Sequence, residues 1–184
     1  YENDGDASWS STVITTAADA ARGVHIGDLD GDGDLDIVSA STNDNEIAWY
    51  ENNGAAEPTF SRTIIATSAN SARDINIGDL DGDGDLDIIS TSLGDQTIAW
   101  YENDGSVNPT FTASDISTNA GWPWDIEIAD IDNDGDLDFV FADDGNRTNN
   151  IHGASDTWSS NGSEGRVIWY ENNGAANPTW SSNV

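Results

Sequence analysis

A nine-residue string, Asp-x-Asp-x-Asp-Gly-Asp-Leu-Asp, begins at Asp28, Asp79 and Asp130, 51 residues apart both times. A second string, Tyr-Glu-Asn-(Asp/Asn)-Gly, begins at Tyr1, Tyr50, Tyr101 and Tyr170. Self-similarity with a period near 50 residues makes the chain an array of equivalent units, each burying its apolar surface against a neighbour. The last Tyr-to-Tyr step is 69 residues, so the third unit carries 18 extra. They fall in the polar, glycine-rich stretch from Asp143 to Arg166.

Within a unit the apolar residues alternate with period two, the period of a pleated strand. Val24-His25-Ile26, Ile75-Asn76-Ile77 and Ile126-Glu127-Ile128 precede the aspartate strings. Ile37-Val38, Ile88-Ile89 and Phe139-Val140 follow them as short runs suited to a buried strand. Third strands are expected at Ile47–Tyr50, Ile98–Tyr101 and Val167–Tyr170, each running into an Asn-Gly or Asp-Gly turn. Fourth strands are expected at Phe60–Ala66 and Phe111–Ile116, each opened by Pro-Thr. Four short strands per unit and no amphipathic helix predict an all-β fold of four-stranded antiparallel blades, of the β-propeller type.

The aspartate string reads as a metal site. In the first copy Asp28, Asp30, Asp32 and Asp36 supply carboxylates at positions 1, 3, 5 and 9, and Asp34 a backbone carbonyl at position 7. The second copy offers Asp79, Asp81, Asp83, Asp85 and Asp87 in the same roles, and the third Asp130, Asp132, Asp134, Asp136 and Asp138. A donor set made only of hard oxygens selects Ca²⁺ over zinc or copper. Two carboxylates about 4 Å apart repel by about 4 kcal/mol at an effective dielectric near 20, so several converging groups need a cation between them. Three sites are expected. They are not EF-hands, because position 12 is Ser39, Ser90 or Phe141 in place of glutamate and a strand follows.

Composition narrows the partners. Acidic residues outnumber basic ones 35 to 5, giving a formal charge of −30. The basic residues are all arginines: Arg22, Arg62, Arg73, Arg147 and Arg166. Such a surface repels phosphate backbones and anionic lipid, which argues against nucleic-acid or membrane-surface partners. With no cysteine there is no disulfide, zinc thiolate or thiol nucleophile. No apolar run reaches the length of a membrane-spanning helix. The chain opens at Tyr1 with neither an initiator methionine nor a signal-peptide pattern, as a mature or excerpted segment would.

Aspartate loops of this spacing between two short strands resemble the FG-GAP/VCBS repeats of integrin α-subunit propellers and of many bacterial surface proteins. The flanking Ile-Ala-Trp-Tyr-Glu-Asn is similar to the bacterial branch. The resemblance implies propeller blades whose calcium loops join the first and second strands, in secreted or cell-surface proteins that serve adhesion or binding. Laid on this chain it divides 1–20 as a leading strand from a partial repeat, 21–69 as blade 1, 70–120 as blade 2 and 121–184 as blade 3. Blade 3 then holds the insertion 143–166 and a truncated last strand. Closed propellers usually have four to eight blades, so three are incomplete as a ring. Trp9-Ser-Ser-Thr-Val13 and Trp180-Ser-Ser-Asn-Val184 are nearly the same string. The ends are therefore expected either to meet further blades or to self-associate head to tail into a filament.

Other residues have plainer readings. Trp49, Trp100 and Trp169 recur in one phase and are expected to pack between sheets. Arg22 and Arg73 stand six residues before the loops, placed to pair with their outer carboxylates. Trp122-Pro123-Trp124 is unique to the third unit and reads as core filling ahead of sugar stacking. The insertion holds Asn146-Arg147-Thr148 and Asn161-Gly162-Ser163, both N-glycosylation triplets, and is the candidate for specific function.

Three functional classes follow. A non-enzymatic, calcium-stabilised extracellular module with a structural or adhesive role is the first, with carbohydrate or a surface protein as its ligand class. A lectin-like carbohydrate-binding propeller, using Trp122, Trp124 or Trp158, is the second. A propeller domain of a polysaccharide-degrading enzyme is the third, but no catalytic residue is nominated. The carboxylate clusters are assigned to metal, and His25 and His152 lie in different units.

Overall fold

The computed structural model of the protein describes residues 2–3, 9–144 and 165–183. Asn146, His152, Trp158 and Asn161 lie outside the described residues. Strands β3 (Ala21–Gly27), β4 (Asp36–Ser41), β5 (Glu46–Asn52) and β6 (Phe60–Ala66) form the first four-stranded antiparallel sheet, in that order. The second sheet is β7 (Ala72–Gly78), β8 (Asp87–Ser92), β9 (Thr97–Asn103) and β10 (Phe111–Ser117). The third is β11 (Pro123–Ala129), β12 (Asp138–Asp143), β13 (Arg166–Asn172) and β14 (Trp180–Asn183). No helix occurs among the described residues, and the sheets do not close into a barrel. Each first-strand pairing breaks register at the same place, at Ala21/Gly23, Ala72/Asp74 and Pro123/Asp125, so one backbone device repeats with the sequence.

The leading segment forms a shorter element than its sequence suggests. β1 (Glu2–Asn3) pairs with β2 (Trp9–Ser10), and residues 11–15 are not in a strand. The last strand, β14, pairs with β13 over four residues, against seven in β6 and β10.

The core lies between the sheets. Leu29, Val38 and Trp49 of the first blade pack with Ala72, Ile75, Ile88 and Tyr101 of the second. Leu80, Ile89 and Trp100 of the second pack with Ile126, Phe139 and Phe141 of the third. Trp49 stands edge-on to Phe111 across the first junction, 6.4 Å between ring centroids. Trp49 and Trp100 thus pack between sheets as their phase predicts. Trp169, on the outer side of blade 3, is part-buried and donates from Nε1 to Asp138 Oδ2 at 3.0 Å. β8 is buried along its whole length, with blades on both sides of it, and its two isoleucines, Ile88 and Ile89, stand in succession because both faces of the strand are covered.

First strands of neighbouring blades approach closely. A Cβ on Gly27 would stand 2.2 Å from Ile77 Cδ1 and 3.1 Å from Leu86 Cδ1, and one on Gly78 would stand 3.1 Å from Leu137 Cδ1. Hydrogen bonds add to this contact. Thr42 Oγ1 donates to Ala72 O at 2.8 Å, and Ile126 N donates to Asp74 Oδ2 at 2.9 Å. Arg73 does not reach a loop carboxylate; its guanidinium lies 3.8 Å from the centre of the Trp124 ring in the next blade. The phase that holds arginine in two units holds its stacking partner in the third. Trp124 is thereby engaged in packing. At the base of the insertion Asp143 and Arg166 face each other across β12 and β13, and Arg166 Nε donates to Asp143 Oδ2 at 3.0 Å.

Candidate metal centres

Each aspartate string is the connection between the first and second strands of its blade. Its turns are tight because positions 4 and 6 adopt positive φ: 72° and 96° at Gly31 and Gly33, 77° and 101° at Gly82 and Gly84. The third loop uses Asn133, at 64°, where the others have glycine, a residue that tolerates the left-handed region.

The loops fold onto their own carboxylates. Gly33 N donates to Asp28 Oδ2 at 3.0 Å, Asp32 N to Asp30 Oδ1 at 3.2 Å and Asp34 N to Asp32 Oδ1 at 2.9 Å. The second loop repeats these bonds, from Gly84 N to Asp79 Oδ2, Asp83 N to Asp81 Oδ1 and Asp85 N to Asp83 Oδ1. The result is three triplets, Asp28–Asp30–Asp32, Asp79–Asp81–Asp83 and Asp130–Asp132–Asp134. Within each, one oxygen per residue lies within 4.8 Å of the others. Asp30, Asp81 and Asp132 are held above the ordinary carboxylate range, first by desolvation and then by neighbouring carboxylates. Glu51 and Glu102 of the Tyr-Glu-Asn strands add to this at Asp30 and Asp81.

Two atoms test whether a cation fits. Asp28 Oδ1 and Asp79 Oδ1 are buried and accept no hydrogen bond. A buried carboxylate oxygen without a partner is costly, and a cation held by positions 1, 3 and 5 would satisfy it. In the third loop the matching oxygen, Asp130 Oδ1, already accepts Asp134 N at 3.1 Å.

The fifteen aspartates therefore divide into three roles. Positions 1, 3 and 5 form the triplets. At position 7, the side chains of Asp34, Asp85 and Asp136 lie against the turn glycine of the Tyr-Glu-Asn-x-Gly string. A Cβ on Gly54, Gly105 or Gly174 would stand about 2 Å from their Oδ2 atoms. At position 9, Asp36, Asp87 and Asp138 are buried beneath the loop, with both oxygens taken by backbone. Asp87 Oδ1 accepts Asn103 N at 2.8 Å and Oδ2 accepts Leu80 N at 3.1 Å. Asp36 and Asp138 make the same pair of bonds, to Asn52 and Leu29 and to Asn172 and Ile131. Burial pushes Asp87 up to about 7, against the pull of the Asn103 and Leu80 amides and the Trp100 indole.

One set of residues is visible only in three dimensions. Asn103 Nδ2 donates to Leu86 O of its own loop and, at 2.8 Å, to Leu29 O of the preceding blade's loop. Asn172 Nδ2 does the same with Leu137 O and, at 2.8 Å, Leu80 O. These asparagines tie the first and second loops to the blades that follow them. The signal was available, since they recur in fixed phase with the loops, but the string reads locally as a turn.

The FG-GAP-like repeat model matches residues 1–39, 28–90 and 79–141. These overlapping stretches cover most of the chain, and each includes at least one aspartate loop. The chain belongs to the FG-GAP-like repeat family. No curated relative matches it.

Proposed function

We propose that the chain is a non-enzymatic, calcium-stabilised repeat module with an extracellular structural or adhesive role. The observation that carries this reading is the pair of buried, unpartnered oxygens, Asp28 Oδ1 and Asp79 Oδ1, in triplets made of oxygen donors alone. Hard, all-oxygen donor sets favour Ca²⁺. Ca²⁺ would be held by Asp28, Asp30 and Asp32, and by their counterparts in the other two loops.

The ion acts on the array through the asparagines. A bound cation fixes the loop, the loop fixes the carbonyls of Leu29 and Leu80, and Asn103 and Asn172 of the next blades bond those carbonyls. Calcium occupancy is thus linked to blade docking and not only to one turn. Extracellular calcium modules commonly bind with dissociation constants of about 10⁻⁴ to 10⁻³ M, a range filled outside the cell and empty in a resting cytosol. Membership of the FG-GAP-like repeat family, whose repeats are typically extracellular, supports a secreted or cell-surface setting.

At ten times such a constant each occupied site adds about 1.4 kcal/mol. Three sites add roughly 4 kcal/mol, a large share of a small domain's margin. Thermal unfolding followed in millimolar calcium and then in excess EDTA is expected to show a large fall in Tm. Identical curves would refute the calcium reading.

A further inference from the structure

Each first strand opens on a bulge, and the extra residue is Arg22 in the first blade, Arg73 in the second and Trp124 in the third. A bulge re-aims one side chain out of the regular pleat, so equivalent bulges in stacked blades aim these three side chains alike. The strands touch at this point, where a Cβ on Gly23 would stand 2.9 Å from Asp74 Cα. Arg73 lies over the Trp124 ring, 3.8 Å from its centre. Desolvation, and then the nearby Arg22 charge, hold the Arg73 guanidinium below the ordinary arginine value. The three groups therefore form a column across the array.

The column consists of donors. A guanidinium has five N–H groups and an indole one, and neither accepts a hydrogen bond. Arg62 pairs with Glu46 and Arg166 with Asp143, but among the described residues Arg22 and Arg73 have no ion pair. Asp74, next in sequence, attracts Arg73 but gives its Oδ2 to Ile126 N. Two other acids at this end of the strands are engaged too: Asp44 accepts Asp19 N, and Asp143 accepts Trp122 N and Arg166 Nε. Stacking occupies the face of a guanidinium and leaves its N–H edge free, so Trp124 orients Arg73 without taking a donor.

The place in the fold decides what can approach. The column stands at the start of the first strands, and the aspartate strings follow their far ends. Six residues of strand at about 3.3 Å each separate the two by about 20 Å. That is about two screening lengths at about 0.1 M salt, so the loops' charge reaches the column weakly. The strong negative charge of the whole chain still repels a polyanion. A lone carboxylate escapes most of that repulsion and matches the guanidinium fork, which binds it through paired N–H donors.

We propose that Arg22 and Arg73 form a binding site for a small ligand bearing one carboxylate. The two arginines touch the ligand, with Arg22 exposed and Arg73 part-buried, and Trp124 is a positioning residue. No loop aspartate belongs to the site, so it goes beyond the calcium reading and does not depend on the ion.

NMR of the arginine Nε–H groups tests it on the full chain, in saturating calcium and about 0.1 M salt. The probes are glucuronate, an acidic sugar, and N-acetylglycine, a mimic of a peptide end; glucose is the control. At least one probe is expected to shift the Arg22 and Arg73 signals saturably while those of Arg62 and Arg166 stay in place. The tighter probe names the source of the carboxylate, and glucose is expected to shift neither signal. Arg22→Gln and Arg73→Gln are each expected to weaken binding about tenfold. Arg22 is exposed, so its variant carries the test even where Arg73→Gln disturbs the fold. Trp124→Ala is expected to weaken binding about threefold, and Trp124→Phe to restore it. No shift from either probe, or equal shifts at Arg62 and Arg166, overturns the proposal. So does binding unchanged in both glutamine variants, which is how a carboxylate bridged to loop calcium would behave. Melting the same samples with and without EDTA keeps the ion separate, since a chelator-insensitive melt defeats the calcium reading and leaves these shifts standing.

Discussion

The first two aspartate loops and the third are nearly identical in sequence, yet only the first two are covered by a following blade. Coverage buries Leu29 and Leu80, while Ile131 in the same position is 40% exposed. It brings Asn103 and Asn172 onto the carbonyls of Leu29 and Leu80. The first two loops also leave Asp28 Oδ1 and Asp79 Oδ1 buried without a partner, whereas the third turns its matching oxygen to its own backbone. A motif's residues set which atoms can bind. The neighbour decides how much of that binding is linked to stability.

The largest expected effect tests the coverage itself. Leu80→Ala empties a buried site between blades and is expected to cost about 2–5 kcal/mol. Ile131→Ala, at the uncovered copy, is expected to cost under about 1 kcal/mol. Denaturant unfolding in saturating calcium measures both, and equal costs would break the distinction between loops.

The next effect concerns the ions. Calorimetric titration is expected to resolve two stronger calcium sites and one weaker. Asp81→Ala removes a stronger step and about 1.4 kcal/mol at ten times its dissociation constant. Asp132→Ala removes the weaker step and less stability. Three equal steps would mean that the unpartnered oxygens of the first two loops add nothing to affinity.

The smallest effect sharpens the second junction. Burial first, then Asp125 beside it, raises the half-buried Asp74 above its ordinary value of 3.8, against the pull of the Ile126 and Ile75 amides. The folded chain therefore holds this proton to higher pH than the unfolded chain. The stability this gives is full below the ordinary value and is lost as pH rises through the raised one. Asp74→Asn keeps an acceptor for Ile126 N–H and removes the titration. Stability-versus-pH curves of wild type and variant are expected to diverge above about pH 4, with the wild type falling faster. Parallel curves would mean that Asp74 titrates alike in both states.

Much of the fold is legible in the chain because the information is local and repeated. Period-two alternation places β3, β7 and β11, and the Pro-Thr openings place β6 and β10 within a residue of where they lie. The triplets are legible for the same reason, since three carboxylates at alternate positions of a glycine turn converge whatever surrounds them. Position 9 was less legible. Spacing nominates Asp36, Asp87 and Asp138 as ligands. The fold adds a hydrogen bond from the amide of Asn52, Asn103 or Asn172 on the third strand to one oxygen of each, and one from the loop's own second residue to the other, which spacing alone does not reveal. Arg73 is similar. Charge suggests a carboxylate partner, and packing supplies the Trp124 ring from the next unit.

By itself the sequence determined the repeat length, the strand phases, the three oxygen-rich turns and the strong negative charge, because each depends on residues close together along the chain. Only the tertiary structure decided which copy of a repeated residue is buried, which asparagine reaches a neighbour's loop and which arginine stacks on a neighbour's ring. Those outcomes depend on what stands on the far side of a sheet. Equivalent residues in successive blades meet different neighbours there, and no local pattern records the difference.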